Sequence, residues 1–267
     1  MSLVALAGIG VLTGLTTVLF GFGGGFVAVP VVVWADAALG ADAMRVATAT
    51  SALVMVVNAG FATAVTPRRV LAALRGSGVL LLLLAAGGAA GALAGRVAPP
   101  GPARWAFVGY VALTVVDLLL RPGFLRPRAE HGDTSGGPRP LPPLLGAPVG
   151  AVAALLGVGG SVLTVPAMRR AGHPMRVATA LANPLTFAIA LPATAVSLSG
   201  TALTAVPDTH HRLVGLVAPV AAAALLLGAL PVIVVLRRRP PRIPDRVHSW
   251  AYIGLLALVA VAMLPLG

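Results

Sequence analysis

The chain has 267 residues, of which 58% are hydrophobic and 10% charged, with a mean hydropathy of +0.98 and a formal net charge of +12. Soluble domains carry about 25% charged residues, so this composition excludes a water-soluble globule. The 19 basic residues are all arginine and sit in short loops between apolar runs. That placement fits topology-setting charge and speaks against a nucleic-acid partner, which needs a basic patch with aromatic platforms.

In chain order, the first apolar segment is Ala7–Leu39, interrupted at Gly21–Gly25. It lacks a basic leader and does not read as a removable signal peptide. Val46–Val65, Val79–Gly95 and Trp105–Leu120 follow, each near the roughly 20 residues that a bilayer crossing needs. The polar, proline-rich stretch 121–143, with Glu130 and Asp133, reads as a cytoplasmic linker. Next comes a second broken segment, Leu144–Met168, interrupted at Gly157–Ser161. The spans Val177–Leu198, Leu213–Leu236 and Trp250–Leu266 close the chain. Residues 1–120 thus form a first membrane repeat and 144–267 a second.

The two halves match in sequence. Gly21-Phe22-Gly23-Gly24-Gly25-Phe26-Val27-Ala28-Val29-Pro30 corresponds to Gly157-Val158-Gly159-Gly160-Ser161-Val162-Leu163-Thr164-Val165-Pro166. Met44-Arg45-Val46-Ala47-Thr48-Ala49 corresponds to Met175-Arg176-Val177-Ala178-Thr179-Ala180. Internal duplication of this kind is a mark of secondary transporters. If both broken segments cross the membrane, the arginines divide eight to eleven between its faces. If both are re-entrant hairpins, only Arg45, Arg96, Arg104 and Arg212 lie outside and the other fifteen inside. The second arrangement is the expected fold: an all-α integral membrane protein of two inverted repeats, each a Gly-broken re-entrant helical hairpin plus three transmembrane helices. Leu3–Phe20 is long enough to cross alone, so a full span at the first broken segment stays open.

The Gly-rich breaks are the candidate substrate site. Lipid cannot satisfy a broken backbone, so each break must be buried in protein or line a wet cavity. A new half-helix is expected near Phe26 and near Val162, its free N–H groups and positive dipole end facing an anion. The candidate binding residues are Gly23, Gly24, Gly25 and Phe26 at the first break, and Gly159, Gly160 and Ser161 at the second. Gly24 and Gly160 are expected to be the least replaceable, through positive φ and close approach to the anion. Pro30 and Pro166 kink or open the half-helices that follow.

On the matched spans, Thr48 and Ser51, with Thr179 and Asn183, are the uncharged groups best placed to meet an oxyanion. Thr50, Asn58 and Thr186 are weaker candidates, and all can instead bond their own helix. Asn183-Pro184 suggests local unwinding. Arg45 and Arg176 head the matched spans, as anion-attracting gates or as interfacial anchors. Asp117, the one acid within a span, lies four residues before Arg121 and suits a paired, interfacial role. The histidines His131, His173, His210, His211 and His248 fall in loops or at span ends, so no metal site or cofactor is expected. Trp34, Trp105 and Trp250 flank apolar runs as interfacial residues do.

GFGGGFVAVP, GVGGSVLTVP and the two RVATA spans resemble the TauE/SafE family of sulfite exporters and related permeases. The resemblance implies a multi-pass protein of the bacterial plasma membrane that moves sulfite, a related sulfur oxyanion or a small organosulfonate. The second copy departs from the first at Ser161, which stands for Gly25, and at Leu181 and Ala182, which stand for Thr50 and Ser51. Two other readings compete: a membrane scaffold or subunit without its own substrate, and an intramembrane enzyme. The enzyme would need a Ser–His pair or two aspartates inside the bilayer, and the sequence offers neither. A homo-oligomer is compatible with all of these.

Overall fold

A computed structural model describes residues 3–35, 40, 42–125, 140–199 and 213–264. Arg126, Arg128, Glu130, His131, Asp133 and Arg139 of the linker lie outside the described residues, as do His210, His211 and Arg212. The described residues form helices α1 (Leu3–Phe20), α2 (Gly25–Ala35), α3 (Ala43–Ala64), the short α4 (Arg68–Leu71), α5 (Gly78–Val97) and α6 (Pro100–Leu120) in the first half. The second half holds α7 (Gly146–Leu156), α8 (Ser161–Arg170), α9 (Met175–Leu198), α10 (Pro219–Arg238) and α11 (Asp245–Ala262).

Six of these helices are long and apolar enough to cross a membrane, but they are not the expected six. α1 qualifies, although its residues were assigned to a hairpin arm; α11 does not. The expected span Trp250–Leu266 is a helix that begins five residues early and takes in Asp245 and Arg246. Asp245 is fixed there by Arg169, whose Nη2 lies 2.6 Å from Oδ2, and by the Met175 N–H, 2.8 Å from Oδ1. The expected span Leu213–Leu236 also shifts. Val214 and Val217 exchange backbone hydrogen bonds in a tight turn, and the helix starts only at Pro219. Asn183-Pro184 does not unwind its helix: α9 runs unbroken through Pro184 and Pro192.

The halves pack reciprocally. α1 crosses α10 so closely that a Cβ at Gly10 would stand 2.2 Å from the Leu225 carbonyl oxygen, and one at Gly228 1.9 Å from that of Ala7. α7 crosses α5 in the same manner, with Gly87 against Ala147 and Gly150 against Leu84. In lipid the hydrophobic effect does not drive helices together, and such small-residue crossings supply the dispersion contact that does.

α3 and α9 cross antiparallel. Ala52 and Met55 cluster with Ala190 and Ala193. Towards one end Thr48 and Ser197 border a common cavity; towards the other, Thr66 and Arg176 do. Arg45 and Arg176 therefore mark opposite ends of the bundle. α5 and α7 both finish at the Arg45 end, while α1 and α10 both finish at the Arg176 end. Behind the first break lies an aromatic stack. Phe22 lies 4.8 Å from Phe26 and 5.1 Å from Tyr252, and Phe26 reaches Phe107 at 6.0 Å between ring centroids. Each such pair contributes about 0.5–1.5 kcal/mol beyond simple burial.

Candidate functional site

The two breaks lean on each other's matched helix. The Cα of Gly21 faces the Thr179 carbonyl and Ala182 on α9, and that of Gly157 faces Thr48 and Ser51 on α3. Gly23 and Gly159 both rest against Met55 and Thr186. Those two side chains stand at the same place in the repeat, each eleven residues after the methionine that opens its block. Side-chain bonds hold the arrangement. Ser51 Oγ donates to the Gly157 carbonyl at 3.1 Å, and Thr186 Oγ1 to that of Gly21 at 3.5 Å.

Half-helices begin at both breaks, each one residue before its expected start. The Ala28 N–H donates to the Gly24 carbonyl at 3.0 Å and the Thr164 N–H to that of Gly160 at 2.9 Å, closing the first turns. The Leu163 N–H also reaches the Gly160 carbonyl, at 3.2 Å, and the amides ahead of these have no carbonyl of their own helix to meet. Pro30 and Pro166 are each the sixth residue of their helix, past the first turn.

The two tip glycines differ in backbone conformation. Gly24 has φ +83°, with Asn58 Nδ2 only 2.7 Å from where a Cβ would sit and Thr13 beside it. Gly160 has φ −72°, which any residue adopts, and its Cβ space meets the Cδ1 end of Ile189 at 2.6 Å. The same residue of the repeat is thus polar at one tip, as Asn58, and apolar at the other, as Ile189.

Several buried polar atoms around the breaks have no hydrogen-bond partner: both amide atoms of Asn58, Ser161 Oγ, Thr164 Oγ1 and Asn183 Oδ1. Asn58, Ser161 and Asn183 are fully buried. Unsatisfied groups at such depth are costly, and these lie on the second half-helix start or on the matched helices α3 and α9. Other expected contacts are already engaged. Thr48 and Thr179 donate to the Arg45 and Arg176 carbonyls, and Thr50 Oγ1 accepts from the Ala218 N–H at the head of α10. The Phe26 ring lies in the aromatic stack, which leaves only its backbone N–H for a ligand.

The two ends differ in openness. At the Arg45 end the cavity between the matched helices is about 20 Å³, room for about one water. Arg45 there pairs with Asp42 at 3.2 Å and donates to the Ala98 carbonyl at 2.7 Å. At the Arg176 end a cavity of about 390 Å³ runs from Arg69 and Arg176 inward past Thr179 and His248. His173, in the turn before α9, is held below the ordinary histidine value by burial. Asp117 is paired as expected, with Arg121 at 3.1 Å, and also with Arg170 at 2.5 Å. Among the described residues no group of His, Asp or Glu is arranged to hold a metal ion.

Sequence reasoning missed Thr13, Met55 and the cavity-lining Arg237. Met55 had a signal, since the repeat aligns it with Thr186. Thr13 and Arg237 had none, because their neighbours are distant in sequence.

A family model described as sulfite exporter TauE/SafE matches residues 6–263. No curated protein and no solved structure matches the chain.

Proposed function

We propose, because the chain belongs to the sulfite exporter TauE/SafE family, that it is a secondary carrier of a small sulfur oxyanion, such as sulfite or a small organosulfonate. The observation that carries this reading is the pair of glycine breaks. Each starts a half-helix, and unpartnered buried groups (Asn58, Ser161, Thr164, Asn183) surround them. An oxyanion seated there accepts from backbone amides at both half-helix starts and from the Ser161 hydroxyl and Asn58 amide. No full cation has to be buried to hold it.

The same reading takes the two halves as inverted repeats and the broken segments as re-entrant. Antiparallel α3 and α9 support it, as does the start of α2 beside Met55, in the middle of α3. With the arginine-rich Arg176 end on the cytoplasmic side, the open cavity faces the cytoplasm. Carrier activity is tested with purified protein in liposomes. Labelled sulfite is expected to cross unaided, and no flux in a folded, inserted preparation favours a scaffold subunit instead.

A further inference from the structure

The large cavity at the Arg176 end has a cation with no partner among the described residues. Arg237, the next-to-last residue of α10, lines that cavity, and its Nε and Nη2 atoms are buried without a hydrogen-bond partner. Among the described residues the cavity lining includes Arg69 and Arg176 as well, and no carboxylate. Nearby Asp245 is already taken by Arg169 and the Met175 amide. Thr66 and Thr179, the cavity's two hydroxyls, donate to the carbonyls of Ala62 and Arg176. Arg237 is partly buried, and Nε and Nη2 sealed from solvent without a counter-charge are unfavourable, which favours an anionic partner at this position.

The repeat says why the protein provides none. Arg237 stands nine residues after Gly228, and Arg96 nine residues after Gly87, the glycines of the two equivalent crossings. At the narrow end Arg96 Nη2 donates to Ser199 Oγ at 2.9 Å. Ser199 lies 24 residues after Met175; the residue 24 after Met44 is Arg68. The equivalent position in the first half carries no hydroxyl, and the residues that share the cavity with Arg237 include the cations Arg69 and Arg176. Like charges lining one cavity favour an anion between them.

We propose that Arg237, with Arg69 and Arg176, forms a second oxyanion site at the mouth of this cavity, separate from the glycine tips, where the transported anion is held before or after it occupies the tips. This rests on the carrier reading. The guanidinium fork offers two parallel N–H donors that match two oxygens of a sulfur oxyanion. An anionic lipid headgroup presents the same chemistry, and the experiment separates the two sources.

Wild type, Arg237→Gln and Ser161→Ala are purified in detergent, and melting is followed against sulfite and, separately, against phosphatidylglycerol micelles. Without ligand, Arg237→Gln is expected to melt no lower than wild type, because it removes an unpaired buried charge; a structural arginine would do the reverse. With sulfite, Arg237→Gln is expected to need about 10- to 100-fold more ligand for the same stabilisation, the loss of one or two charge-assisted bonds. In liposomes its KM for sulfite should rise only for transport from the Arg176 face. Unchanged sulfite response in Arg237→Gln, beside a weakened one in Ser161→Ala, overturns the mouth site and leaves the carrier reading intact. A response lost to phosphatidylglycerol alone also overturns it, in favour of a lipid site. No sulfite response in wild type overturns both.

Discussion

The two glycine breaks share a frame and differ in what fills it. Gly21 and Gly157 approach equivalent positions on opposite matched helices, and Gly23 and Gly159 meet over Met55 and Thr186. Around the tips the likeness ends. Gly24 has φ +83° and faces Asn58, while Gly160 has φ −72° and faces Ile189. Duplication copies backbone geometry because reciprocal packing constrains both copies alike. Each tip's polarity is set by single side chains, which diverge freely once the frame is held.

The comparison breaks outright if the two halves do not point opposite ways. The chain has no cysteine, so single cysteines at Arg45 and Arg170 report without background. A membrane-impermeant thiol reagent is expected to label position 45 from outside only and position 170 from inside only. Labelling of both from one face removes the inverted arrangement.

The tips come next. Gly24→Val should abolish sulfite flux, because a branched side chain meets positive φ and the Asn58 amide together; the backbone strain alone is about 1–2 kcal/mol. Gly160→Ala should be far milder, since its φ is ordinary and the Ile189 side-chain end can yield. Equal loss of ligand-induced thermal shift and flux in Gly24→Ala and Gly160→Ala would show that the difference in φ between the tips has no consequence.

Asn58→Leu makes the first tip resemble the second. If the amide meets the anion, sulfite affinity should fall about 10-fold, at the lower end of a charge-assisted bond. Melting without ligand should rise, because two unpartnered buried atoms are gone. Unchanged affinity on titration would place the anion elsewhere. The smallest effect is expected from Asp117→Asn. Asp117 sits in a partly exposed pair with Arg121 and Arg170, and such pairs contribute about 0–1 kcal/mol. Flux and its pH dependence should persist, because sulfite itself titrates near neutrality. Abolished flux in a folded variant would make Asp117 part of proton coupling.

Much of this was legible along the chain. The breaks, the starts of α2 and α8 and the Asp117–Arg121 pair were all expected, within a residue at the helix starts. They depend on neighbours within a turn or two: Gly supplies the reversal, and an acid four residues before an arginine meets it on the same helix face. The misses lie where sequence neighbours do not decide. For Thr48, Ser51 and Thr179 the sequence left a ligand and the residue's own helix as alternatives, and each hydroxyl bonds its own helix. Ser51 additionally braces the second break. α11 extends back to Asp245 because an arginine from α8 receives that carboxylate.

Hydropathy, arginine placement and the repeated motifs determined a membrane protein, its two halves and its family, because lipid filters composition and periodicity residue by residue. Only the tertiary structure decided that each break rests on the other half's matched helix, that one tip is polar and the other apolar, and that Arg237 stands unpaired in an open cavity. Those features arise where residues from opposite halves meet. Pairing across that distance is a property of packing, which a linear pattern does not encode.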